Sequence, residues 1–417
     1  MTPNPTHHHR RPGTLRRSSA ATATVALSAA VLTGGALSGP AAAAPAPQDA
    51  PVLIGHRGAA GTAPENTVAA FEDGRASGAD FFEIDVQLSA DGVPFLFHDN
   101  TPARTTNVEE VFPGREDDPI TSFTWEELQQ LDAGSYFSEE YAGERIPHLD
   151  DAAEAATRNT GVFIEIKSPV NSPGIEQVVA DALAEDEQWN ELLEADKIEV
   201  LGFDEASNQR FAEIAPDVPL QQLVGTVPDA ATLERYATFA DSFGTNYRTL
   251  DEAGAERVKD AGLGLGVYTV NSTEAYDQSV DLGVDRVTGD FPIQFSRYER
   301  ELKVFPQNTG VQVADSVNDV PGADLQAETG EHVVLENTGK RTVDVSGWLL
   351  RDAANNVLEI GEGYSIRPGE RLRVYTGPGT NAEDAYYNDG TANVLNNGGD
   401  SVALWTDEGT LQDTFAN

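Results

Sequence analysis

The stretch Phe81-Phe82-Glu83-Ile84-Asp85-Val86-Gln87-Leu88-Ser89-Ala90-Asp91-Gly92-Val93-Pro94-Phe95-Leu96-Phe97-His98-Asp99 holds two apolar, aromatic or β-branched runs separated only by Ser89 to Gly92. Runs bounded by turn residues in this way read as strands. A parallel connection needs roughly a dozen residues or more, so this short turn forces an antiparallel hairpin. The consequence is a strand count. Between Val52 and Arg300 lie nine candidates: Val52 to Gly55, Phe81 to Val86, Val93 to Phe97, Val162 to Ile166, Ile198 to Phe203, Leu220 to Val224, Ser242 to Tyr247, Leu263 to Thr269 and Asp285 to Thr288. They alternate with helical patterns, the mark of parallel βα units. Setting the antiparallel return aside leaves eight strands, the count of a (β/α)8 or TIM barrel, whose chemistry sits at the C-terminal ends of its strands.

Charged and titratable residues collect at those ends. Gly55-His56-Arg57-Gly58, Glu83-Ile84-Asp85, His98-Asp99 and Glu165-Ile166-Lys167 each end or interrupt an apolar run, where such groups must be paired or bound. Glu83 and Asp85, two apart on a strand, share a face, and the hairpin brings His98-Asp99 back to the same mouth. Carboxylates suit a hard divalent cation, two imidazoles can serve as acid and base, and Arg57 with Lys167 can hold a phosphate. The set suits metal-assisted phosphoester cleavage. Other residues read more plainly. His148 and His332 are expected to be structural, Glu65-Asn66-Thr67 to open the first helix after Pro64, and Gly58 and Gly61 to permit tight backbone. Asp99 is expected to orient an imidazole.

The chain has 417 residues, no cysteine and a formal charge of −42. That length suits two folded domains. The absence of thiols leaves oxygen or imidazole to hold any metal. The acidity argues against nucleic acid and anionic membranes as partners and is mostly a solvated surface. Residues 1–46 carry Arg10, Arg11, Arg16 and Arg17, then a mild Ala- and Gly-rich stretch and the small-residue run Ala41 to Ala46. This reads as a cleaved secretory signal, by the twin-arginine or the general route, and not as a stable membrane anchor. Residues 101–150 form a long insertion after the hairpin, regular only around Thr124 to Leu131, and loops of that length are usually functional; a lid or substrate-facing subdomain is expected. A barrel over 51–302 and a linker over 303–309 are then followed, over 310–417, by short alternating strands and Gly, Asn and Asp turns. The strands are Val333 to Glu336, Val343 to Val345, Trp348 to Arg351, Arg371 to Tyr375 and Ser401 to Trp405, the pattern of an all-β, immunoglobulin-like sandwich.

Several motifs in the first region match one family: His56-Arg57-Gly58, Pro64-Glu65-Asn66-Thr67, Glu83-Ile84-Asp85-Val86-Gln87-Leu88, Asp91-Gly92, His98-Asp99, Glu165-Ile166-Lys167, Asp285 and Asp290-Phe291-Pro292. From Val52 to Arg300 the chain resembles the glycerophosphodiester phosphodiesterases. The resemblance implies hydrolysis of glycerophosphodiesters to glycerol 3-phosphate and an alcohol, with calcium or magnesium as cofactor. It further implies Glu83, Asp85 and Glu165 as metal ligands, His56 and His98 as the acid and base in either order, and attack by the substrate's own adjacent hydroxyl. Arg57 and Lys167 would then neutralise the phosphate. Tyr268, Gly202 and Gly289 depart from the family pattern, where tryptophan, serine and threonine are usual, and bear on substrate contacts.

The second region resembles a lamin-tail domain through Gly330-Glu331-His332-Val333, Glu336-Asn337, Val345-Ser346-Gly347-Trp348, Leu350 with Asp352, Pro368-Gly369-Glu370 and Asn396-Asn397-Gly398-Gly399-Asp400-Ser401-Val402, with Trp348 as a core anchor. Such a module implies an accessory role, including contact with a cell surface or matrix. The leading expectation is a secreted or cell-surface-associated hydrolase. Two alternatives stand beside it: a phospholipase D of the sphingomyelinase type acting on lysolipids, and an adhesin working through the sandwich.

Overall fold

A computed structural model describes residues 50–417; the segment read as an export signal lies outside the described residues. Nine strands form the first sheet: β1 (Val52–Gly55), β2 (Phe81–Leu88), β3 (Pro94–Leu96), β4 (Gly161–Ile166), β5 (Ile198–Gly202), β6 (Leu220–Leu223), β7 (Ser242–Asn246), β8 (Gly264–Tyr268) and β9 (Arg286–Gly289). Eight are parallel, and β1 pairs with both β2 and β9, which closes the ring. The remaining strand, β3, lies outside it, antiparallel to β2 with Val86 opposite Leu96. Here the short turn decides the topology, as the spacing requires.

The two-residue period of the strands sorts their side chains. Phe82, Ile84, Val86, Val162, Ile164 and Ile166 face outward into one core with helical residues such as Phe71, Val179 and Trp189. Phe81 and Phe163 instead meet Ile54, Leu201 and Leu223 in a second cluster filling the barrel. Glu83, Asp85 and Glu165 are in phase with that inner set, so alternation turns all three carboxylates inward.

The insertion is more ordered than its sequence suggests. It contains the short helices Val108–Val111 and Trp125–Leu128, the second closed by a capping box between Thr124 and Glu127. Val108, Ile120, Phe123, Leu128, Leu131 and Ile146 are buried with Phe95 and Phe97, so the segment has its own core on the hairpin. His148 caps the helix Leu149–Ala155, the structural role expected of it.

The C-terminal region is all β: β10 (Val311–Val317), β11 (His332–Asn337), β12 (Val343–Asp344), β13 (Leu349–Asp352), β14 (Val357–Glu359), β15 (Ser365–Ile366), β16 (Arg371–Tyr375), β17 (Ala385–Tyr387), β18 (Ser401–Trp405) and β19 (Leu411–Ala416). Two four-stranded sheets, β10-β11-β16-β17 and β14-β13-β18-β19, enclose an apolar core that includes the buried Trp348. Strand β10 is absent from the sequence reading because a bulge between Val313 and Asp315 breaks its alternation. No helix among the described residues is long and apolar enough to cross a membrane.

The sandwich is fastened to the barrel at several points. Arg351 donates from Nη2 to the Phe137 carbonyl at 2.7 Å, with its guanidinium 4.2 Å from the centre of that ring. Arg248 donates to the carbonyls of Asn417 and Asp400 at 2.6 and 3.0 Å.

Gly55 is where β1 passes closest to its own loop: a Cβ there would lie 2.0 Å from the Gly58 carbonyl oxygen. Overpacking of this kind costs roughly 1–3 kcal/mol. Gly55→Ala is therefore expected to lower the urea midpoint by at least that equivalent. Gly225→Ala, where a Cβ meets nothing within 4 Å, is expected to leave it nearly unchanged.

Candidate active site

The mouth of the barrel is a cleft lined by His56, Arg57, Glu83, His98, Glu165 and Lys167, together with Phe203 and Tyr268. Both histidines and both cations singled out in the sequence meet here, together with two of the three carboxylates. The third, Asp85, is buried directly behind them.

Arg57 occupies the turn after β1 with φ 48°, a left-handed conformation that costs a side-chain-bearing residue of order 1–3 kcal/mol. Hydrogen bonds hold it there. Its backbone N donates to Glu83 Oε2 at 2.7 Å, its carbonyl accepts from Asn66 N, and its Nη1 donates to Glu65 Oε1 at 2.7 Å. Its Nε lies 3.6 Å from Asp85 Oδ2. Asn66, also left-handed, grips Asp85 from both sides: Nδ2 donates to Oδ2 at 2.8 Å, and Oδ1 accepts from the Asp85 backbone at 3.1 Å.

Glu83, Asp85 and Glu165 each bring a carboxylate oxygen within 4.8 Å of the other two. Burial, then the charges of Asp85 and Glu165, push Glu83 well above the usual carboxylate range. Burial and Asp85 raise Glu165 as well. Burial would also raise Asp85, but Lys167, His98 and Arg57 outweigh it and hold that group far below its ordinary value. Lys167 Nζ stands 2.9 Å from Glu165 Oε1 and 3.2 Å from Asp85 Oδ1, and Asp85 Oδ1 has no hydrogen-bond donor. The cluster is short of positive charge, and its donors are all oxygen, which fits a hard divalent cation.

The opposite group is already neutralised. Glu65, His98 and Asp99 also converge, but Arg104 donates to both Glu65 oxygens at 2.7 and 2.8 Å and to both Asp99 oxygens at 2.6 and 3.0 Å. Burial alone would raise Glu65; Arg57 and Arg104 bring it down to about 2. This network is a scaffold for His98. The imidazole Nδ1 meets Asp99 Oδ1 at 2.7 Å, and burial, followed by the charge of Arg57, lowers the His98 pKa. His56 is held similarly, with Nδ1 2.6 Å from Asp290 Oδ1. With Nδ1–H of each ring donating to its carboxylate, Nε2 is left to accept a proton or, when protonated, to donate one.

All seven candidate site residues therefore gather in one place. Glu65 corrects the expectation of a helix-opening residue: the cap of Val68–Ser77 is Thr67, while Glu65 anchors two arginines. Arg104 and Tyr136, whose hydroxyl accepts from the Glu65 backbone at 3.0 Å, come from the insertion and carried no local signal. The pairing of Asp290 with His56 spans most of the barrel and was equally invisible, although the Asp290-Phe291-Pro292 motif marked the residue.

The model of the Glycerophosphoryl diester phosphodiesterase family matches residues 56–294, and that of the Lamin Tail Domain matches residues 306–417. A glycerophosphodiester phosphodiesterase of Caldanaerobacter subterraneus subsp. tengcongensis is 34% identical over 248 residues, covering 58% of this chain and 94% of that protein. One from Bacillus subtilis is 28% identical over 262 residues, covering 60% and 86% respectively. Among solved structures, an Oleispira antarctica phosphodiesterase in complex with the product sn-glycerol-3-phosphate superposes with a TM-score of 0.52 at 29% identity, covering 59% of this chain and 96% of that one. With the closed barrel, the convergent carboxylates and a family match over more than half its length, the chain belongs to the glycerophosphoryl diester phosphodiesterase family.

Proposed function

We propose that the protein is an exported hydrolase that cleaves glycerophosphodiesters to glycerol 3-phosphate and an alcohol. The observation that carries this reading is the meeting of two carboxylate-held imidazoles and an oxygen-only acidic cluster in one cleft. The product-bound Oleispira antarctica relative supports it, and the arginine-rich N-terminal segment supports export.

Glu83, Asp85 and Glu165 would hold the divalent cation, calcium or magnesium, which when bound supplies Lewis-acid polarisation of the phosphoryl oxygens. Arg57 and Lys167 contribute fixed positive charge where the pentavalent phosphorus gathers negative charge. His98, kept neutral by burial and Arg57, accepts the proton of the attacking hydroxyl at Nε2. His56 donates its Nε2 proton to the departing alcohol as the substrate's own hydroxyl closes a cyclic phosphate; water then opens that ring, His56 taking a proton from the water and His98 returning its own to the released hydroxyl, which leaves glycerol 3-phosphate. Asp99 and Asp290 hold the two rings and stabilise whichever becomes cationic.

Release of glycerol 3-phosphate from glycerophosphocholine should be abolished by EDTA and by His98→Ala; activity that survived chelation would overturn the mechanism. The division of labour has its own test. His56→Ala should lose at least about 100-fold on glycerophosphocholine but far less on the p-nitrophenyl diester of glycerol phosphate, whose leaving group needs no proton. His98→Ala should lose on both.

The acidic cluster also predicts a stability profile. A carboxyl raised in the folded state stabilises the fold fully below its ordinary pKa, 4.5 for glutamate, and that contribution is lost as pH rises toward the folded value. In EDTA, Glu83→Gln should therefore melt higher than the parent at pH 8, by roughly 2–4 °C per kcal/mol of repulsion relieved. The gap should close by pH 4. Glu65 and Asp85, whose pKa values are lowered and whose slope runs the other way, are common to both proteins and largely cancel. The same variant should lose the rise in melting temperature that calcium or magnesium gives the parent.

A further inference from the structure

We propose that the C-terminal domain is a working part of the active site and that Ser401 is a positioning residue for His56. The inference rests on the catalytic reading of His56 given above.

A hydrogen-bonded relay runs from the imidazole into the sandwich. His56 Nδ1 meets Asp290 Oδ1 at 2.6 Å. Behind it, Asn271 Nδ2 donates to Asp290 Oδ2 at 2.5 Å, and Asn271 Oδ1 accepts from the Asp290 backbone N at 2.9 Å. One amide proton of Asn271 remains, and it goes to Ser401 Oγ at 2.9 Å, on strand β18 of the other domain. Asn271, Asp290 and Ser401 are all buried. Without that acceptor, Asn271 keeps an unsatisfied N–H and is free to turn or shift for a new partner, and Asp290 moves with it.

Ser401 is itself pinned to the barrel. Arg248 donates to the carbonyl of the preceding residue, Asp400, and to that of Asn417. The approach is close enough that a Cβ on Gly399 would stand 2.8 Å from Arg248 Nε. The Ser401 backbone N donates to Asp400 Oδ1 at 2.8 Å, and the strand pairs Ser401 with Ala416. His56 also lines, with Arg57 and Glu65, a small recess to which Arg351, Asn355 and Trp405 of the sandwich contribute. An appended attachment module would need none of this. The relay gives the domain a physical means of setting where the His56 ring stands.

The test uses the full chain with Ser401→Ala and Ser401→Thr. The alanine variant should lower kcat on glycerophosphocholine by roughly tenfold, as a small misplacement of a catalytic group does, with KM changed less than twofold. Threonine, which keeps the hydroxyl, should restore most of it. The ¹⁵N and ¹H signals of the His56 imidazole, read by NMR, should shift in the alanine variant and return in the threonine variant. Unchanged kcat and imidazole signals in Ser401→Ala would overturn the proposal. So would equal losses in both variants that track a lowered melting temperature, since packing alone would then explain them. If the parent protein released no glycerol 3-phosphate, the proposed reaction would fail, and the imidazole signals would still decide the link: a shift supports it, and no shift overturns it.

Discussion

Three carboxylates turned into the mouth of one barrel form the constraint around which the other site residues are arranged. Like charges a few ångströms apart in a buried site cannot all ionise unless positive charge is brought to them. Arg57, Lys167 and the donors of Asn66 supply part of it. The remainder is the electrostatic room for a cation. Arg57 takes up a left-handed backbone to place both its amide and its guanidinium against this cluster. Glu65 and Arg104 are in turn needed to hold Arg57 and Asp99 in register. The acidic centre is expensive in the folded protein, which is consistent with a site kept for chemistry and not for stability.

What could be read from the sequence follows from the range of the interactions involved. The barrel was legible because its determinants are local: runs of Val, Ile, Leu and Phe at strand spacing, and a turn too short for a crossover. The carboxylates were legible because alternation alone turns Glu83 and Asp85 to one side, and the parallel neighbour puts Glu165 opposite Asp85. The carboxylate partners of the two histidines fared differently. Asp99 is adjacent to His98 and could be guessed, whereas Asp290 is 234 residues from His56 and no periodicity connects them. Arg104 and Tyr136 sit in a segment without strand or helix rhythm, ordered by a small cluster of buried apolar residues that sequence spacing does not announce. The docking of the sandwich was illegible for the same reason. It depends on single side chains, Arg248, Asn271 and Arg351, reaching across to backbone or hydroxyl groups more than a hundred residues away.

The two domains divide the labour around one imidazole. The barrel carries Arg57, Lys167 and the acidic cluster, all on strand ends or the loops just beyond them, where rigid β structure fixes their spacing. His56 stands at the seam. It lines both the barrel cleft and a recess to which the C-terminal domain contributes.

Strand β3 has a separate consequence. Its only partner within the barrel sheet is β2, its other edge bridges from Phe95 to His148 at the end of the insertion, and it takes no part in closing the ring, so the length of chain between it and the helix Leu149–Ala155 is unconstrained by barrel geometry. Segments of different size and composition can be hung at this point over evolutionary time while the eight-stranded ring and its acidic cluster stay intact. The hairpin is thus a socket: it delivers His98 to the mouth just beyond the end of β3 and leaves the neighbouring surface open to change, so a lineage can alter what approaches the phosphate without rebuilding what cleaves it.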